Sequence, residues 1–464
     1  MKNLLFLLFC PLIFLHAQQE NIIEDILSQL TNEEKIAMCH AQSKFTSPGV
    51  PRLGIPELSM SDGPHGIRPE INWDDWGYAN WTNDYVTAFP ALTCLAATFN
   101  PDLSMDYGIS IGEEARYRKK DILLGPGVNI YRTPLNGRNF EYMGEDPYLA
   151  SELVVPYVKG VQKNGVAACV KHYALNNQEQ WRGHINVEVS DRALHEIYLP
   201  AFKAAVKHGN AWAIMGSYNK FRGQHCCHND LLLNKILKKS WGFDGVVISD
   251  WGGVHNTDEA IYNGLDIEMG TPSDRSHSKR YPYNSNFLGN PFLKKIIEGE
   301  VEESILDDKV RRILRLMTRT SLNKDRPFGS INSKQHYETA YKIASEGVVL
   351  LKNTENFLPI DKSKQIKIAI IGENAEKSMS VGGGSSELKP DKEISPLFGI
   401  KKEFKNAVIK YAKGYSSNPD DRHDDLRKEA LAIVKDSDVV LFIGGLNKNN
   451  FQDSEANDRK NYQL

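Results

Sequence analysis

The sequence predicts an α/β protein: a (β/α) barrel followed by a smaller α/β domain with a largely parallel sheet. Its 464 residues suffice for two or three domains at about 150 residues each. Between about residues 55 and 270, short apolar runs repeatedly end in a polar or glycine-rich cluster, and a helical pattern then follows. A polar stretch over 323–333 separates this part of the chain from a second group of apolar runs.

Five short apolar runs are the predicted strands of the barrel. They lie at 58–60, 122–124, 166–170, 212–215 and 246–248. The longer runs show no polar alternation, which is typical of strands buried on both faces of a parallel sheet. Because parallel strands are joined by helices, repeated strand–helix units over about 300 residues favour a barrel. Catalytic groups of such barrels lie at the carboxyl ends of the strands.

Helical patterns fill the intervals between these runs. Apolar residues at helical spacing predict helices over 103–118, 231–237 and 307–317. Ser190 is predicted to cap another helix, which Pro200 kinks and Gly209 ends, because serine caps helices whereas proline and glycine interrupt them. In the second domain we predict strands at 366–371, 408–411 and 439–443, a helix near 423–435 and a glycine-rich loop at 382–386.

The amino terminus predicts export. Lys2 is followed by an apolar run over 4–15 and by the small residue Ala17, and this order is typical of a secretory signal peptide. The run covers 12 residues, whereas a membrane span needs about 20. We therefore expect a signal peptide over 1–17 and an exported protein, periplasmic or extracellular, without a membrane span.

Charge and cysteine content narrow the possible partners. With 56 Lys and Arg residues against 59 Asp and Glu residues, the net charge is −3, which removes the simplest case for nucleic-acid binding. The cysteines beyond the signal peptide are too few and too scattered for a disulfide framework. The run His225-Cys226-Cys227-His228 looks like a set of metal ligands, but zinc sites usually space their cysteines by two or more residues. We expect buried thiols there, and neither a metal nor a cofactor.

Polar residues stand where the predicted strands end, and arginines stand in the loops beside them. They are Asp62, Lys171, His172, Tyr218, Asp250, Arg68, Arg138 and Arg182. Taken singly, each has a structural alternative: a helix N-cap for Asp250, a buried pair for Lys171 and His172, and a solvated position for the arginines. Together with Trp251 they suit a sugar, because hydroxyls need many hydrogen-bond partners and a sugar's C–H face stacks on an aromatic ring. A pair of carboxylates then indicates glycoside hydrolysis.

Six longer motifs run along the chain. They are SDGPHGIR at 61–68, NGRNFEYMGEDP at 136–147, KHYALNNQEQWR at 171–182, GSYNK at 216–220, GFDGVVISDWGGVH at 242–255 and GLDIEMG at 264–270. In this order they resemble glycoside hydrolase family 3, close to its exported bacterial β-glucosidases. The resemblance implies a (β/α)8 TIM-like barrel over 18–325, followed by an incomplete α/β sandwich domain over 326–464.

The resemblance also implies a role for each matching position. Asp250, in the SDW motif, matches the catalytic nucleophile. Glu455, in DSEANDR at 453–459, matches the general acid/base, although Ala456 stands where glycine is usual. The positions implied to bind the sugar or to wall its pocket are Asp62, Arg68, Arg138, Lys171, His172, Arg182, Tyr218, Trp251 and Ser385 or Ser386.

The activity that the resemblance implies is a retaining, exo-acting β-glucosidase, whose substrate is a β-glucoside or β-linked oligosaccharide. For this mechanism we expect cations near Asp250 to lower the pKa of that carboxyl, and Glu455 to lie in a less polar place. A β-xylosidase of the same family and a carbohydrate-binding protein without turnover are the alternatives. A β-N-acetylhexosaminidase is disfavoured because that branch of the family carries the motif KHFPG, whereas residues 171–175 of this chain read KHYAL. Since the family's members continue beyond the acid/base loop, we expect a C-terminally truncated chain: either the sequence itself is truncated, or the product is poorly active and poorly stable.

Overall fold

Two sheets, each with its own hydrophobic core, organise the protein. The computed structural model describes residues 19–271, 282–418, 421–446 and 454–462. The signal peptide predicted over 1–17 lies outside these residues. The larger core surrounds a six-stranded sheet between residues 46 and 248, and the smaller one surrounds a three-stranded sheet between residues 367 and 442. No helix within the described ranges is long and apolar enough to cross a membrane.

The described strands and helices have the following bounds. The strands are β1 (Thr46–Ser47), β2 (Leu58–Asp62), β3 (Tyr85–Val86), β4 (Ile122–Leu124), β5 (Ala167–Tyr173), β6 (Asn186–Val187), β7 (Ala213–Gly216), β8 (Lys220–Phe221), β9 (Gln224–His225), β10 (Val246–Ile248), β11 (Lys367–Ile371), β12 (Lys389–Pro390), β13 (Val408–Ala412) and β14 (Val439–Phe442). The α-helices cover 19–29, Asn32–Met38, Leu92–Ala97, Pro101–Tyr117, Pro147–Gln162, Asp191–Ala193, Pro200–Lys207, Thr257–Tyr262, Asn290–Ile297, Glu303–Arg319, Lys334–Glu346, Pro396–Glu403 and His423–Val434. Leu194–Tyr198 and Leu231–Ser240 are π-helical.

The larger sheet is the predicted barrel sheet. Strands β2, β4, β5, β7 and β10 pair in that order and run parallel, while the short β1 pairs antiparallel with β2. Ile267 continues the sheet through a parallel bridge to Ile248, and Glu268 bridges to His40. All residues of β4, β5, β7 and β10 are buried, as continuous apolar runs require. The predicted fold class, a TIM-like barrel with a second α/β unit, is confirmed.

Helices cover the outer face of the barrel sheet, and small residues allow their close approach. The helices Pro101–Tyr117 and Pro147–Gln162 pack together through glycines: a Cβ on Gly108 would lie 2.2 Å from the carbonyl oxygen of Tyr157. Ser190 caps its helix as predicted, since its hydroxyl accepts from the N–H of Ala193. Pro200 begins a new helix after the π-helical segment rather than kinking one, because proline fits the first turn, where its missing N–H costs nothing.

The second unit is a small parallel sheet that reaches back to the barrel. Strand β11 lies at its centre, between β13 and β14, and contributes Ile368 and Ile370 to the smaller core. Strand β12 instead pairs with β3 near the barrel. This pairing brings the glycine-rich loop over 382–386 to the barrel mouth. The boundary between the two domains at residue 325 stays a prediction.

Candidate active site

A cavity of about 270 Å³ lies at the carboxyl ends of the barrel strands. All candidate residues of the sugar site named from the sequence, except Ser386, line it, namely Asp62, Arg68, Arg138, Lys171, His172, Arg182, Tyr218, Asp250, Trp251, Ser385 and Glu455. Three further residues line it as well, Trp76, Met215 and Gly384. A wider depression of about 710 Å³ lies between outer helices, away from the strand ends. The structure therefore brings the candidates together, while the role of each one stays a prediction.

The floor of the cavity consists of Asp62, Lys171, His172 and Asp250, which come from three strands of the barrel sheet or the turns directly after them. Asp62 is the last residue of β2, Lys171 and His172 lie in β5, and Asp250 follows β10 by two residues. Since all strands from β2 to β10 of this sheet run parallel, with β4 and β7 lying between these three, their carboxyl ends meet at one edge. The roof consists of Gly384, Ser385 and Glu455, which come from the second unit.

Asp62 is held by two cations at the inner wall. Its carboxylate accepts from Arg68 at 3.0 Å and lies 3.8 Å from the Lys171 ammonium. The Arg68 guanidinium in turn lies over the rings of Phe45 and Trp76, at 5.7 and 5.2 Å from their centroids. Burial raises the pKa of Asp62, and Lys171 and Arg68 offset only part of that rise. The carboxylate is thus placed to accept from ligand hydroxyls beside two fixed positive charges.

Asp250 lines the cavity with a carboxylate whose two oxygens differ in their contacts. Its Oδ1 accepts from the backbone N–H of Trp251 at 2.9 Å. Its Oδ2 has no hydrogen-bond donor among the described residues and lies 3.8 Å from Nε2 of His172. Burial raises the pKa of Asp250, although Arg182 and Arg138 act in the opposite direction. The cations act to lower this pKa, as expected, but burial outweighs them, because the carboxyl is only 8% exposed and loses its hydration.

The remaining floor and wall groups are neutral hydrogen-bonding groups held by their neighbours. Burial lowers the pKa of His172 well below its usual value, so the imidazole is neutral at pH 7. The backbone of His172 exchanges two hydrogen bonds with the side chain of Asn129, at 2.8 and 2.9 Å. Burial and the nearby Asp250 raise the pKa of Tyr218 well above 10, and its hydroxyl donates to the carbonyl of Trp251 at 3.1 Å.

Two buried arginines connect the floor to the roof. Arg138 makes a bidentate pair with Glu141, at 2.6 and 3.0 Å, and donates to the Ser385 hydroxyl at 3.0 Å. Arg182 pairs with Glu179 at 2.5 Å and with Glu455 at 2.9 Å. Each guanidinium is therefore fixed by a carboxylate three residues away in sequence and still faces the cavity.

Both oxygens of the Glu455 carboxylate accept hydrogen bonds from protein groups, and two arginines lie beside it. Its Oε1 accepts from Arg182, its Oε2 accepts from the backbone N–H of Ser385 at 2.6 Å, and Arg138 lies 3.9 Å away. Burial alone would raise the pKa of Glu455, but these donors hold it well below its usual range. The expectation that Glu455 lies in a less polar place is wrong, because two cations converge on it.

The glycine-rich loop supplies the roof through its backbone more than through its side chains. Ser385 lines the cavity, whereas the Ser386 hydroxyl points to Glu141 at 3.3 Å and is 2% exposed. Of the two serines left open by the sequence, Ser385 is the one at the cavity. Gly384 has a φ of +57°, and a Cβ there would lie 2.5 Å from Oε2 of Glu455. Glycine at this position is thus required for the approach of Glu455.

The run at 225–228 does not form a metal-ligand set. Cys226 and Cys227 are buried thiols, as expected, and His225 stacks on His255 at 3.6 Å. His228 pairs with Glu259 at 2.7 Å. Within the described ranges, no group of three or more His, Cys, Asp or Glu side chains has the geometry of a metal site.

Several groups that support the site were not identified from the sequence. Trp76 lies in a loop without a strand-end signal, and Met215 is an apolar residue of β7. Glu141 and Glu179 hold Arg138 and Arg182 from within the quoted motifs. They could have been identified from the sequence, because each lies three residues from its arginine, and side chains at that spacing in a tight turn can reach each other.

Comparison with known proteins places these features in a family. The chain matches the family described as Glycosyl hydrolase family 3 N terminal domain over residues 59–316 and its C-terminal domain over residues 348–464. It is 59% identical to Beta-glucosidase BoGH3A of Bacteroides ovatus, over 95% of this chain and 61% of that protein. It is 38% identical to Thermostable beta-glucosidase B of Acetivibrio thermocellus, over 91% of this chain and 54% of that protein.

A solved structure shows the same fold. Beta-glucosidase 3B from Thermotoga neapolitana, in complex with alpha-D-glucose, superimposes with a TM-score of 0.81 at 33% identity. The superposition covers 95% of this chain and 64% of that one. The chain thus spans between 54% and 64% of the length of each of these three relatives.

Proposed function

The chain belongs to glycosyl hydrolase family 3, and we propose that it is a retaining, exo-acting β-glucosidase. The observation that carries the proposal is the single cavity into which the barrel contributes Asp250 and the second unit contributes Glu455. A cavity of about 270 Å³ has room for one sugar ring, which supports removal of terminal residues. Relatives and structural neighbours named as β-glucosidases support the choice of a β-glucoside as substrate.

In the first step, Asp250 is the nucleophile. Its Oδ2 attacks the anomeric carbon, the bond to the leaving oxygen breaks, and Glu455 gives that oxygen a proton. The sugar hydroxyls lie among Asp62, Lys171 and the neutral His172, which together offer acceptors and donors. The transition state carries positive charge at the anomeric carbon, which the Asp250 carboxylate stabilises, while Arg138 and Arg182 hold Glu455 in place.

In the second step, Glu455 acts as a base. It takes a proton from water, the water oxygen attacks the anomeric carbon, and the Asp250 carboxylate leaves. This step needs an ionised Glu455, and Arg138 and Arg182 favour that state because they lower its pKa. The first step needs a protonated Glu455, and we infer that a bound sugar weakens these two ion pairs and raises the pKa of Glu455.

The proposal is tested with Asp250→Ala and a panel of aryl glycosides. The wild-type chain should hydrolyse an aryl β-glucoside with retention, observed by NMR of the first-formed glucose anomer. Asp250→Ala should lower kcat by about 10⁴-fold or more, as loss of a covalent nucleophile does in other enzymes. Turnover by Asp250→Ala near the wild-type rate would contradict the assignment.

The same panel separates the alternatives. Aryl β-xyloside and aryl α-L-arabinopyranoside lack the C6 group, and a relative from Bifidobacterium longum is named Exo-alpha-(1->6)-L-arabinopyranosidase. A higher kcat/KM on either pentoside than on the glucoside would replace the proposed substrate. Calorimetric binding of glucose by the wild-type chain without hydrolysis of any glycoside would indicate a carbohydrate-binding protein instead.

We also propose that the protein is exported. The support is the order of Lys2, the apolar run 4–15 and Ala17 in the sequence, because this order is typical of a cleaved signal peptide. Expression in a bacterium, followed by cell fractionation and amino-terminal sequencing, should yield a periplasmic or extracellular chain that begins near residue 18. Retention of an uncleaved chain in the cytoplasm would contradict this proposal.

A further inference from the structure

The loop that carries Glu455, residues 454–459, rests on the barrel through Asp458. The Asp458 carboxylate accepts from three backbone N–H groups, those of Gly137, Glu179 and Gln180, at 2.9 to 3.0 Å. These donors belong to two separate loops of the barrel, one after β4 and one after β5. Asp458 therefore fastens both barrel loops to the loop of the second unit.

The two fastened loops are the ones that carry the arginines of the site. Gly137 directly precedes Arg138, and Glu179 stands three residues before Arg182. Both guanidiniums reach Glu455, Arg182 at 2.9 Å and Arg138 at 3.9 Å. A shift of the loop 454–459 against either barrel loop would therefore change the distance between Glu455 and its two cations.

Further contacts fix the position of the loop 454–459 on the two barrel loops. The N–H of Ala456 donates to Glu179 at 2.9 Å, and the N–H of Arg459 donates to the carbonyl of Leu135 at 2.8 Å. The contact at Gly137 leaves no room for a side chain, since a Cβ there would lie 1.9 Å from the carbonyl oxygen of Asn457. The loop is thus docked over its whole described length, and Asp458 supplies the only carboxylate in it that binds backbone donors of both barrel loops.

We propose that Asp458 is a positioning residue, which sets the place of Glu455 and thereby its proton transfer to the leaving oxygen. This inference rests on the proposed acid/base role of Glu455. A carboxylate suits the three N–H donors because it only accepts, with two oxygens. An amide at 458 would turn an NH₂ group toward at least one N–H, so Asp458→Asn is a near-isosteric change that loosens the loop.

The test compares two substrates that differ in their need for a proton. 2,4-Dinitrophenyl β-glucoside has a leaving group that departs without protonation, whereas methyl β-glucoside needs a general acid. Proton transfer by a positioned side chain contributes about 10²–10⁴-fold to rates, so Asp458→Asn should lower kcat/KM for the methyl glucoside by about 10²-fold. For the dinitrophenyl glucoside, kcat/KM should stay within about threefold of the wild type, since glycosylation there needs no acid.

A second readout follows the covalent intermediate. Azide needs no base: it attacks the anomeric carbon, the bond to the Asp250 oxygen breaks with its electron pair returning to the carboxylate, and β-glucosyl azide is released. Azide should therefore raise kcat of Asp458→Asn on the dinitrophenyl glucoside and yield glucosyl azide. A residue with a merely structural role would not give this product.

Glu114→Gln is the matched control. The Glu114 carboxylate is fully buried and accepts from the backbone N–H groups of Thr87 and Asn332, at 3.1 Å each, but it does not contact the loop 454–459. This variant should lose stability without any dependence on the leaving group. If Asp458→Asn does not fold by circular dichroism, Gly137→Ala disturbs the same contact from the barrel side and should show the leaving-group dependence.

The outcomes separate the inference from the proposed function. Glu455→Gln should show both the leaving-group dependence and the rescue by azide. If it shows neither, the acid/base role of Glu455 is wrong, and the positioning role of Asp458 is wrong with it. If Glu455→Gln shows both and Asp458→Asn loses equally on the two substrates, or loses on neither, the positioning role of Asp458 is wrong. Strong loss on the methyl glucoside alone, with glucosyl azide formed, supports it.

Discussion

The floor and the roof of the cavity hold their carboxylates in opposite electrostatic states. On the floor, burial raises the pKa of Asp62 and of Asp250, and nearby cations offset only part of the rise. In the roof, Arg138 and Arg182 overcome the burial of Glu455 and hold its pKa well below the usual range. Burial alone therefore does not determine the direction of the pKa shift of these carboxyls. The direction depends on how many hydrogen-bond donors and cations converge on each carboxylate.

After Asp250, the largest effect should come from another floor residue, Asp62. Asp62→Ala removes the anion between Arg68 and Lys171 and, under the proposed function, the acceptor for sugar hydroxyls. Hydrogen bonds to charged groups contribute about 1.5–3 kcal/mol each, so loss of two should lower kcat/KM on an aryl β-glucoside by about 10³-fold. Steady-state kinetics measures this, with the exposed Asp325→Ala as control. A loss under tenfold would show that the floor binds sugar without Asp62.

A smaller effect is expected in the roof, at Gly384. Gly384→Ala places a methyl group 2.5 Å from Oε2 of Glu455, so the carboxylate must move. Misplacement by about 1 Å costs about 10²-fold in rate, and we expect a loss of that size in kcat on methyl β-glucoside.

Gly383→Ala is the matched control for that experiment. Gly383 also has a positive φ, +71°, but a Cβ there meets no atom within 4 Å. The two variants thus share the backbone strain and differ in the contact with Glu455. Equal kinetics for the pair would mean that the strain of the loop, and not the position of Glu455, controls the reaction.

The floor was predictable from the sequence, whereas the electrostatics of the roof were not. Asp62 and Asp250 follow apolar runs, and the parallel order of such runs brings their ends together. Glu455 was located only by its motif, because Arg182 and Glu455 are 273 positions apart. The net pKa shifts of Asp250 and Glu455 were not predictable, since burial and the number of hydrogen-bond donors arise from contacts between distant loops. Trp76 could not be predicted as a cavity residue, because it lies in a loop without a periodic hydrophobic pattern.

A third prediction concerns pH and stability, at Glu179. Burial raises the pKa of Glu179 to about 6, despite its pairing with Arg182. A carboxyl whose pKa is higher in the folded than in the unfolded state stabilises the fold below pH 4.5, and this contribution is lost as pH rises through about 6. The difference corresponds to about 2 kcal/mol. Glu179→Gln should therefore abolish about that much of the fall in unfolding free energy between pH 4.5 and 7, measured by urea titration.

Glu455→Gln should change the acid side of the profile of unfolding free energy against pH, opposite to the side that Glu179→Gln changes. The folded-state pKa of Glu455 is lowered, so its contribution to stability is present above pH 4.5 and is lost as pH falls below it. The substitution should thus reduce acid destabilisation and leave the change between pH 6 and 7 as in the wild type. If both variants altered the same side of the profile, the contrast between burial-dominated and donor-dominated carboxylates would be wrong.

The smallest effect should come from the Ser385 side chain. Its hydroxyl accepts from Arg138 at 3.0 Å, while the bond that holds Glu455 comes from its backbone N–H. Ser385→Ala keeps the N–H and removes one hydrogen bond worth about 1 kcal/mol, so kcat/KM should fall roughly fivefold, with equal effect on methyl and dinitrophenyl glucosides. A loss as large as that of Gly384→Ala would mean that the hydroxyl binds the sugar directly, and the roof would then resemble the floor in acting through side chains.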